Sequence, residues 1–425
     1  LLLVHKRPSP SLFPHFYSSP FPTSPLPYPL PPYRNSPRAA MTEETAKEKE
    51  DRIQGYVTFN AGRRFGDWTI EKKLDEGGFG KVYLVRRKDG QTAALKAEPN
   101  EVEGGSAIKL EKNVLRDLNN KGEVPHVPVL YHAAKHRNFC YMVMTLLGDN
   151  FKALRNQQPQ KNGYSTFTVS TWIRLAVQAL YGLKIVHDHG FLHRDIKPNN
   201  FLMGHPTDPE RARIVYLLDF GLSRSYAFKL ANGKWVARLA RPTAEFRGTV
   251  RYCSPNVHNE IEQGRRDDIW SMFFVLIEMH CGLPWQTINS KEKIEWIKCQ
   301  MKDEHLTQNF PRELRGVIPA LRKLDCYQRP DYHAIYQSML AVMKRYKVQN
   351  DELFDWEKKP GFKVVKPSKP PAWFNAGDFF KSDPLGINSL TEESKKHHDD
   401  GKTEVDGKTK DTEKKTRENN TRTTD

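Results

Sequence analysis

Four short stretches, read in chain order, carry residue types suited to handling phosphate. Gly77-Gly78-Phe79-Gly80-Lys81-Val82 lies between two strand-like patterns, Ala93-Ala94-Leu95-Lys96 ends on a strand-borne lysine, His193-Arg194-Asp195-Ile196-Lys197-Pro198-Asn199-Asn200 follows a long helical pattern, and Leu218-Asp219-Phe220-Gly221 closes the set. Gly77 and Gly80 have no Cβ, so backbone N–H groups there can approach phosphate oxygens. Lys96 supplies a cation for the α- and β-phosphates of a nucleotide such as ATP, and Glu111 on the next helical stretch is placed to hold that lysine. Asp195 can accept or orient a substrate hydroxyl. Asn200 and Asp219 offer the hard oxygen ligands that Mg2+ prefers. Together they fit phosphoryl transfer, where positioning and charge neutralisation do most of the catalysis. Lys197, two residues beyond Asp195, can touch the transferred phosphate and the loop seating the acceptor, which favours a serine or threonine hydroxyl.

Each piece has a plainer reading when taken singly. A glycine-rich turn is commonly a hairpin, a strand lysine is commonly solvated, and His193 is expected to be structural. His187, His189 and His193 lack the regular spacing and partner cysteine of a zinc site. The glycine loop also begins unusually: Asp75 stands where such loops tend to start with glycine. That carboxylate is expected to weaken ATP binding by repulsion, softened by solvent screening and by nearby Lys81. Lys96, Glu111, Asp195, Lys197, Asn200 and Asp219 are all present, which favours an active enzyme over the alternative, a catalytically weak scaffold binding partners through the same surface.

These groups need a frame to hold them. Residues 68–75 and 80–98 alternate like strands, with Asp89-Gly90 as a hairpin turn. Residues 105–120 read as a helix. From about residue 148 the pattern turns helical: in 168–190 Ile173, Ala176, Leu180 and Leu183 share one face and Gly190 ends the run. Further helices fit 267–282, 289–302 and 331–346. The expected fold is therefore α+β and bilobal, with a small β-rich lobe at 67–147 and a larger helical lobe at 148–357. Residues 1–66 read as a Pro/Ser-rich, then charged, disordered segment, and 358–425 as a disordered charged tail. The chain opens on leucine, and Met41 is an alternative start.

Composition narrows the function classes. A 38% hydrophobic content with eight tryptophans supports a sizeable core, and no run of 18 apolar residues marks a membrane span. Five cysteines, at 140, 253, 281, 299 and 326, show no metal-ligand spacing and read as reduced thiols of the cytoplasm, with the nucleus and cytoskeleton as further locations. Residues 1–40 carry four basic and no acidic side chains, and residues 391–425 carry nine basic and ten acidic, so +13 of the net +16 falls on 41–390. That excess favours acidic partners. No dense Lys/Arg block interleaved with aromatics points to nucleic acid, and a monomer is expected.

The four stretches together match the protein-kinase signature. "KPNNFLMG", "DFGLSR", "RGTVRYCSPNVH", "GRRDDIWSMFFVLIEMHCGLPW" and "LFDWEK" resemble the casein kinase 1 superfamily, and most closely its tau-tubulin kinase branch, over about residues 67–357. Thr249-Val250-Arg251-Tyr252 and Trp270 tilt the resemblance to that branch. It implies a serine/threonine kinase binding ATP between the lobes. By position, Met144 resembles the gatekeeper, and Thr145, Leu146 and Leu147 the hinge that holds adenine. Leu74, Val82, Ala94 and Leu202 resemble the walls around the purine, and Thr249 the threonine bracing Asp195 and Lys197. Most kinases end the activation segment with Ala-Pro-Glu, whose glutamate pairs with a late arginine. Here Ser254-Pro255-Asn256 stands instead, as in the casein kinase 1 group, so Arg329 lacks that partner. The group favours acidic or already phosphorylated protein substrates, with cytoskeletal proteins suggested by the branch. Arg251 resembles a residue that helps bind a substrate anion, and Arg238, Arg241, Arg247, Lys291 and Lys293 are expected nearby.

Overall fold

The computed structural model describes residues 56–77, 80–100, 106–161 and 163–396. The Pro/Ser-rich start, the charged end beyond residue 396, and Gly78 and Phe79 at the tip of the glycine loop lie outside them. Six antiparallel strands form the first sheet: β1 (Arg64–Phe65), β2 (Trp68–Gly77), β3 (Gly80–Arg87), β4 (Thr92–Pro99), β5 (Leu130–Lys135) and β6 (Phe139–Thr145), in the order β1-β2-β3-β4-β6-β5. The register places Asp75 opposite Val82, Val82 opposite Lys96 and Ala94 opposite Met144. Two-residue alternation then sorts the faces: Tyr83, Val85, Ala93 and Leu95 pack in one cluster, while Val82, Ala94, Met142 and Met144 join the other.

Helix α1 (Ala107–Leu118) packs beneath this sheet through Ile108, Val114, Leu115 and Leu118. Its start is held by Ser106, whose hydroxyl accepts from Lys109 N–H, and by buried Glu98, whose two oxygens accept from Ala107 and Ile108 N–H at 3.1 Å each. The larger lobe is built on α2 (Val169–Asp188), α3 (Arg265–Cys281), α4 (Lys291–Gln300) and α5 (Tyr332–Arg345). A small sheet, β7 (Leu147–Asn150), β8 (Phe201–Gly204) and β9 (Val215–Leu217), carries the hinge exit and the segment after Asn200. Helix α2 is buried on every side rather than on the single face its periodicity suggests. Its polar positions are satisfied internally: Gln178 donates to Arg213 O and accepts from Val215 N–H.

The structure extends the packed body beyond both expected boundaries of 67–357. Ahead of it, Val57 and Phe59 are buried, and Tyr83 clamps them: its hydroxyl donates to Val57 O at 2.6 Å and accepts from Phe59 N–H at 3.1 Å. Beyond it, Trp373, Ala376 and Phe380 are buried in the main core, with Phe379 stacked on Tyr181 and Phe380 on Tyr336 at ring separations of 4.0 and 4.6 Å. Residues 358–396 therefore do not read as a solvated tail. The expectation failed because the stretch is polar on average, while four aromatics in Trp373–Phe380 provide its anchor. Among the described residues no helix is long and apolar enough to cross a membrane.

Candidate active site

A cavity of about 820 Å3 opens between the two lobes. Leu74, Val82, Ala94, Met144, Thr145, Leu146, Leu147 and Leu202 supply its apolar wall and hinge edge, and Asp75 and Gly77 border it from β2. Lys96, Lys197, Asn200 and Asp219 face it from the polar end. Its size and its mixture of apolar walls with a few convergent charges suit a nucleotide-sized ligand.

Lys96 is fixed by strand pairing, since β4 sits between β3 and β6. Its Nζ donates to Glu111 Oε2 at 2.6 Å and to Asp219 Oδ1 at 3.2 Å. Burial alone would push the ammonium down, but Glu111 and Asp219 outweigh it and hold Lys96 above its ordinary value. Asp219 is displaced oppositely: burial raises it, yet the Lys96 charge brings it below the ordinary carboxylate range. Its backbone is left-handed, φ +67°, a conformation that non-glycine residues keep only where surrounding contacts enforce it. Gly80 tolerates no side chain, because a Cβ there would stand 2.0 Å from Ala97 O.

Asp195 is held from two sides. Thr249 Oγ1 donates to its Oδ1 and Lys197 Nζ to its Oδ2, both at 2.6 Å. Asn200 Nδ2 donates to the Asp195 carbonyl at 2.8 Å, which turns the amide and leaves its Oδ1 as an acceptor. The loop bearing Asp195 hangs on a residue to which the sequence reading assigned no role. Buried Asp268 on α3 accepts from His193 N–H at 2.7 Å, from Arg194 N–H at 2.8 Å and interacts with His187 Nε2 at 3.0 Å. The only sequence signal was its place in the "GRRDD" stretch. The three histidines diverge: His187 also meets Tyr332 Oη, His189 meets Ile185 O, and His193 Nε2 meets Leu218 O.

The activation segment approaches the same loop closely. Gly248 has φ +114°, and a Cβ there would stand 2.5 Å from Arg194 O. The segment's end is tied to α3 through Asp267, which accepts from Ser254 Oγ at 2.5 Å and Asn256 Nδ2 at 2.8 Å. Arg329 turns elsewhere, donating to Phe380 O at 3.2 Å and Ser382 O at 2.7 Å.

The expected basic cluster divides. Arg251 donates to Gln286 O at 2.8 Å, and Arg247 is exposed and pairs with Glu245. Lys291 and Lys293 lie exposed in the first turn of α4. Arg241 instead makes a forked pair with Glu262, at 2.7 and 3.0 Å, with Arg224 3.7 Å from the same carboxylate. Arg238 donates to Ser225 O and covers the Phe228 ring. Contacts among the described residues thus tie Arg241 to Glu262 and Arg238 to Ser225 and Phe228. Lys298, which the sequence reading passed over, donates to Val250 O and to Cys253 O beside Arg251, and burial pushes it down to about 8.

Asn200 and Asp219 provide an amide oxygen and a charged carboxylate at one end of the cavity, a donor set that fits a magnesium ion. The apolar hinge end and Lys96 likewise fit the base and phosphates of ATP.

Residues 68–340 match the protein kinase domain family. An inactive tau-tubulin kinase of Caenorhabditis elegans is 42% identical over 283 residues, 66% of this chain and 96% of that protein. A second protein of that organism, with serine/threonine-protein kinase in its name, is 35% identical over 78% of this chain and 99% of its own length. A third, with casein kinase I in its name, is 30% identical over 70% of this chain and 85% of its own length. The chain belongs to the protein kinase family, in its casein kinase 1-related group, and is most like the tau-tubulin kinases.

Proposed function

We propose that this member of the protein kinase family is an active serine/threonine kinase, transferring the γ-phosphoryl group of ATP to hydroxyls of protein substrates. The observation that carries the reading is the joined set Thr249–Asp195–Lys197 and Lys96–Glu111–Asp219, of which Lys197, Lys96 and Asp219 face one cavity. Asp195, oriented by Thr249, receives the proton of the attacking hydroxyl as its oxygen bonds to phosphorus and the bond to the β-phosphate bridging oxygen breaks. Lys197 stands against the charge of the moving phosphoryl, and Lys96 fixes the α- and β-phosphates. Magnesium, held by Asn200 and Asp219, supplies neutralisation of phosphate charge when bound.

Arg251, with Arg247, Lys291 and Lys293, is the proposed reader of an acidic or phosphorylated side chain on the substrate. The test follows phosphate transfer from Mg-ATP to a casein-like protein, a primed peptide and its unprimed twin, with Asp195→Asn as control. Transfer that vanishes in the control supports the kinase, and a primed-to-unprimed ratio unchanged by Arg251→Ala removes the anion site.

A second reading is a nucleotide-binding scaffold without turnover. Asp75 at the glycine loop favours it, as does the inactive designation of the 42% identical relative. Mg-ATP binding by a folded protein with no transfer to any of the three substrates would select it.

A further inference from the structure

The same cavity has a wall contributed by the end of the larger lobe and the chain that follows it. Trp356, Glu357, Phe362 and Val365 line it together with Leu74, the hinge residues and the His205-Pro206 turn. Residues 359–368 reach this position because both ends are pinned. At the start, Glu357 pairs with Arg213 Nε at 3.0 Å and accepts from Phe354 N–H at 2.7 Å, while Trp356 stacks on Phe354. At the far end, Glu210 accepts from Ser368 N–H at 2.9 Å and from Ser368 Oγ at 3.1 Å. Between the pins, Lys359 reaches Gln157 at 3.0 Å, and Gly361 at φ +80° turns the chain so that Phe362 comes to the rim. Phe362 nonetheless stays 37% exposed. A partly bare aromatic ring held at the mouth of a ligand-sized cavity has apolar surface left to cover.

We propose that residues 359–368 form a strap completing the outer wall of the nucleotide cleft, with Phe362 and Val365 contacting the bound nucleotide and the Ser368–Glu210 latch holding them in place. This rests on the reading of the cleft as a nucleotide site. The strap is preorganised by its two pins, so covering the ring costs little ordering when ligand enters. Glu210 does not line the cavity, which separates the latch from direct contact with ligand.

The experiment uses the full chain and two readouts. Calorimetric titration with Mg-ADP is expected to show Phe362→Ala binding roughly five-fold more weakly, the size given by about 40 Å2 of lost apolar burial. Glu210→Ala should weaken binding in the same direction by releasing the latch. Wild-type affinity in both variants would overturn the proposal. Hydrogen exchange without nucleotide provides a check that stands even if the wild type binds none: Glu210→Ala should speed exchange in peptides spanning 356–368 and also 144–150. Faster exchange confined to 356–368 would mean that the strap does not wall the cleft. Absent Mg-ADP binding together with coupled exchange would refute the nucleotide reading while keeping the wall.

Discussion

Replacing Asp268 by asparagine tests whether one buried carboxylate positions the whole catalytic loop. The wild-type carboxylate accepts from the backbone N–H groups of His193 and Arg194 and meets His187 Nε2. Asparagine keeps one acceptor oxygen and puts an NH2 where the other stood, so a buried donor is left facing a donor. An unsatisfied buried donor costs about 1–3 kcal/mol, and each hydrogen bond to a charged group is worth about 1.5–3 kcal/mol. The expected loss is about 4 kcal/mol, a large part of the roughly 5–15 kcal/mol typical of folded domains. The assay is urea unfolding at pH 7.5 by near-ultraviolet circular dichroism, with hydrogen exchange of peptides containing His193 and Arg194. Burial keeps His187 below its ordinary value, so it is neutral at that pH and does not blur the comparison. A loss under about 1 kcal/mol with unchanged exchange at both amides would refute the reasoning, because α3 would then not be what holds the loop.

Three further outcomes are expected. Asp75→Gly should tighten Mg-ATP binding about three-fold at low ionic strength, with the gain shrinking in high salt, since an exposed carboxylate acts only through a screened field; equal gain at every salt concentration, read by titration calorimetry, would reject repulsion as the cause. Trp373→Ala should cost about 3–5 kcal/mol in urea unfolding, as for other buried tryptophans, and a cost near zero would return residues 358–396 to the status of a loose tail. Burial lowers Lys298 from 10.5 to about 8, so the unfolded chain binds the extra proton between those values and wild-type stability rises with pH across that window. Measured against Lys298→Met, the wild type should gain about 3 kcal/mol between pH 8 and 10.5; a flat difference would mean that the ammonium is not desolvated.

Legibility in the sequence differed by the kind of physical signal. The strands bearing Lys96 and the helix containing Glu111 were readable because alternation and 3.6-residue periodicity are local, and Asp195, Lys197, Asn200 and Asp219 stood in short, spaced motifs. Thr249 was reached through resemblance, and its 2.6 Å bond to Asp195 gives that placement a geometry. Asp268 and Glu98 eluded the reading because each is a carboxylate whose work is to accept backbone N–H groups from elements distant in sequence or just ahead, and spacing does not encode that. The outer limits failed for another reason: burial of Val57 and Trp373 depends on tertiary partners, Tyr83 for one and the main core for the other. Arg238 and Arg241 were grouped with Arg251 by nearness in sequence, and the fold commits Arg241 to Glu262 and Arg238 to Ser225 and Phe228.

The packing of Phe379 and Phe380 on Tyr181 and Tyr336 has a consequence for biosynthesis. About 200 residues separate Tyr181 from Phe380, and at roughly 5–20 residues per second a ribosome needs about 10–40 s to cross that interval. Throughout it, helix α2 has been made but its aromatic cover has not. The nascent chain therefore presents a bare ring surface for a period long enough for a chaperone to find it, and the large lobe can close on that side only once Phe379 and Phe380 have been made.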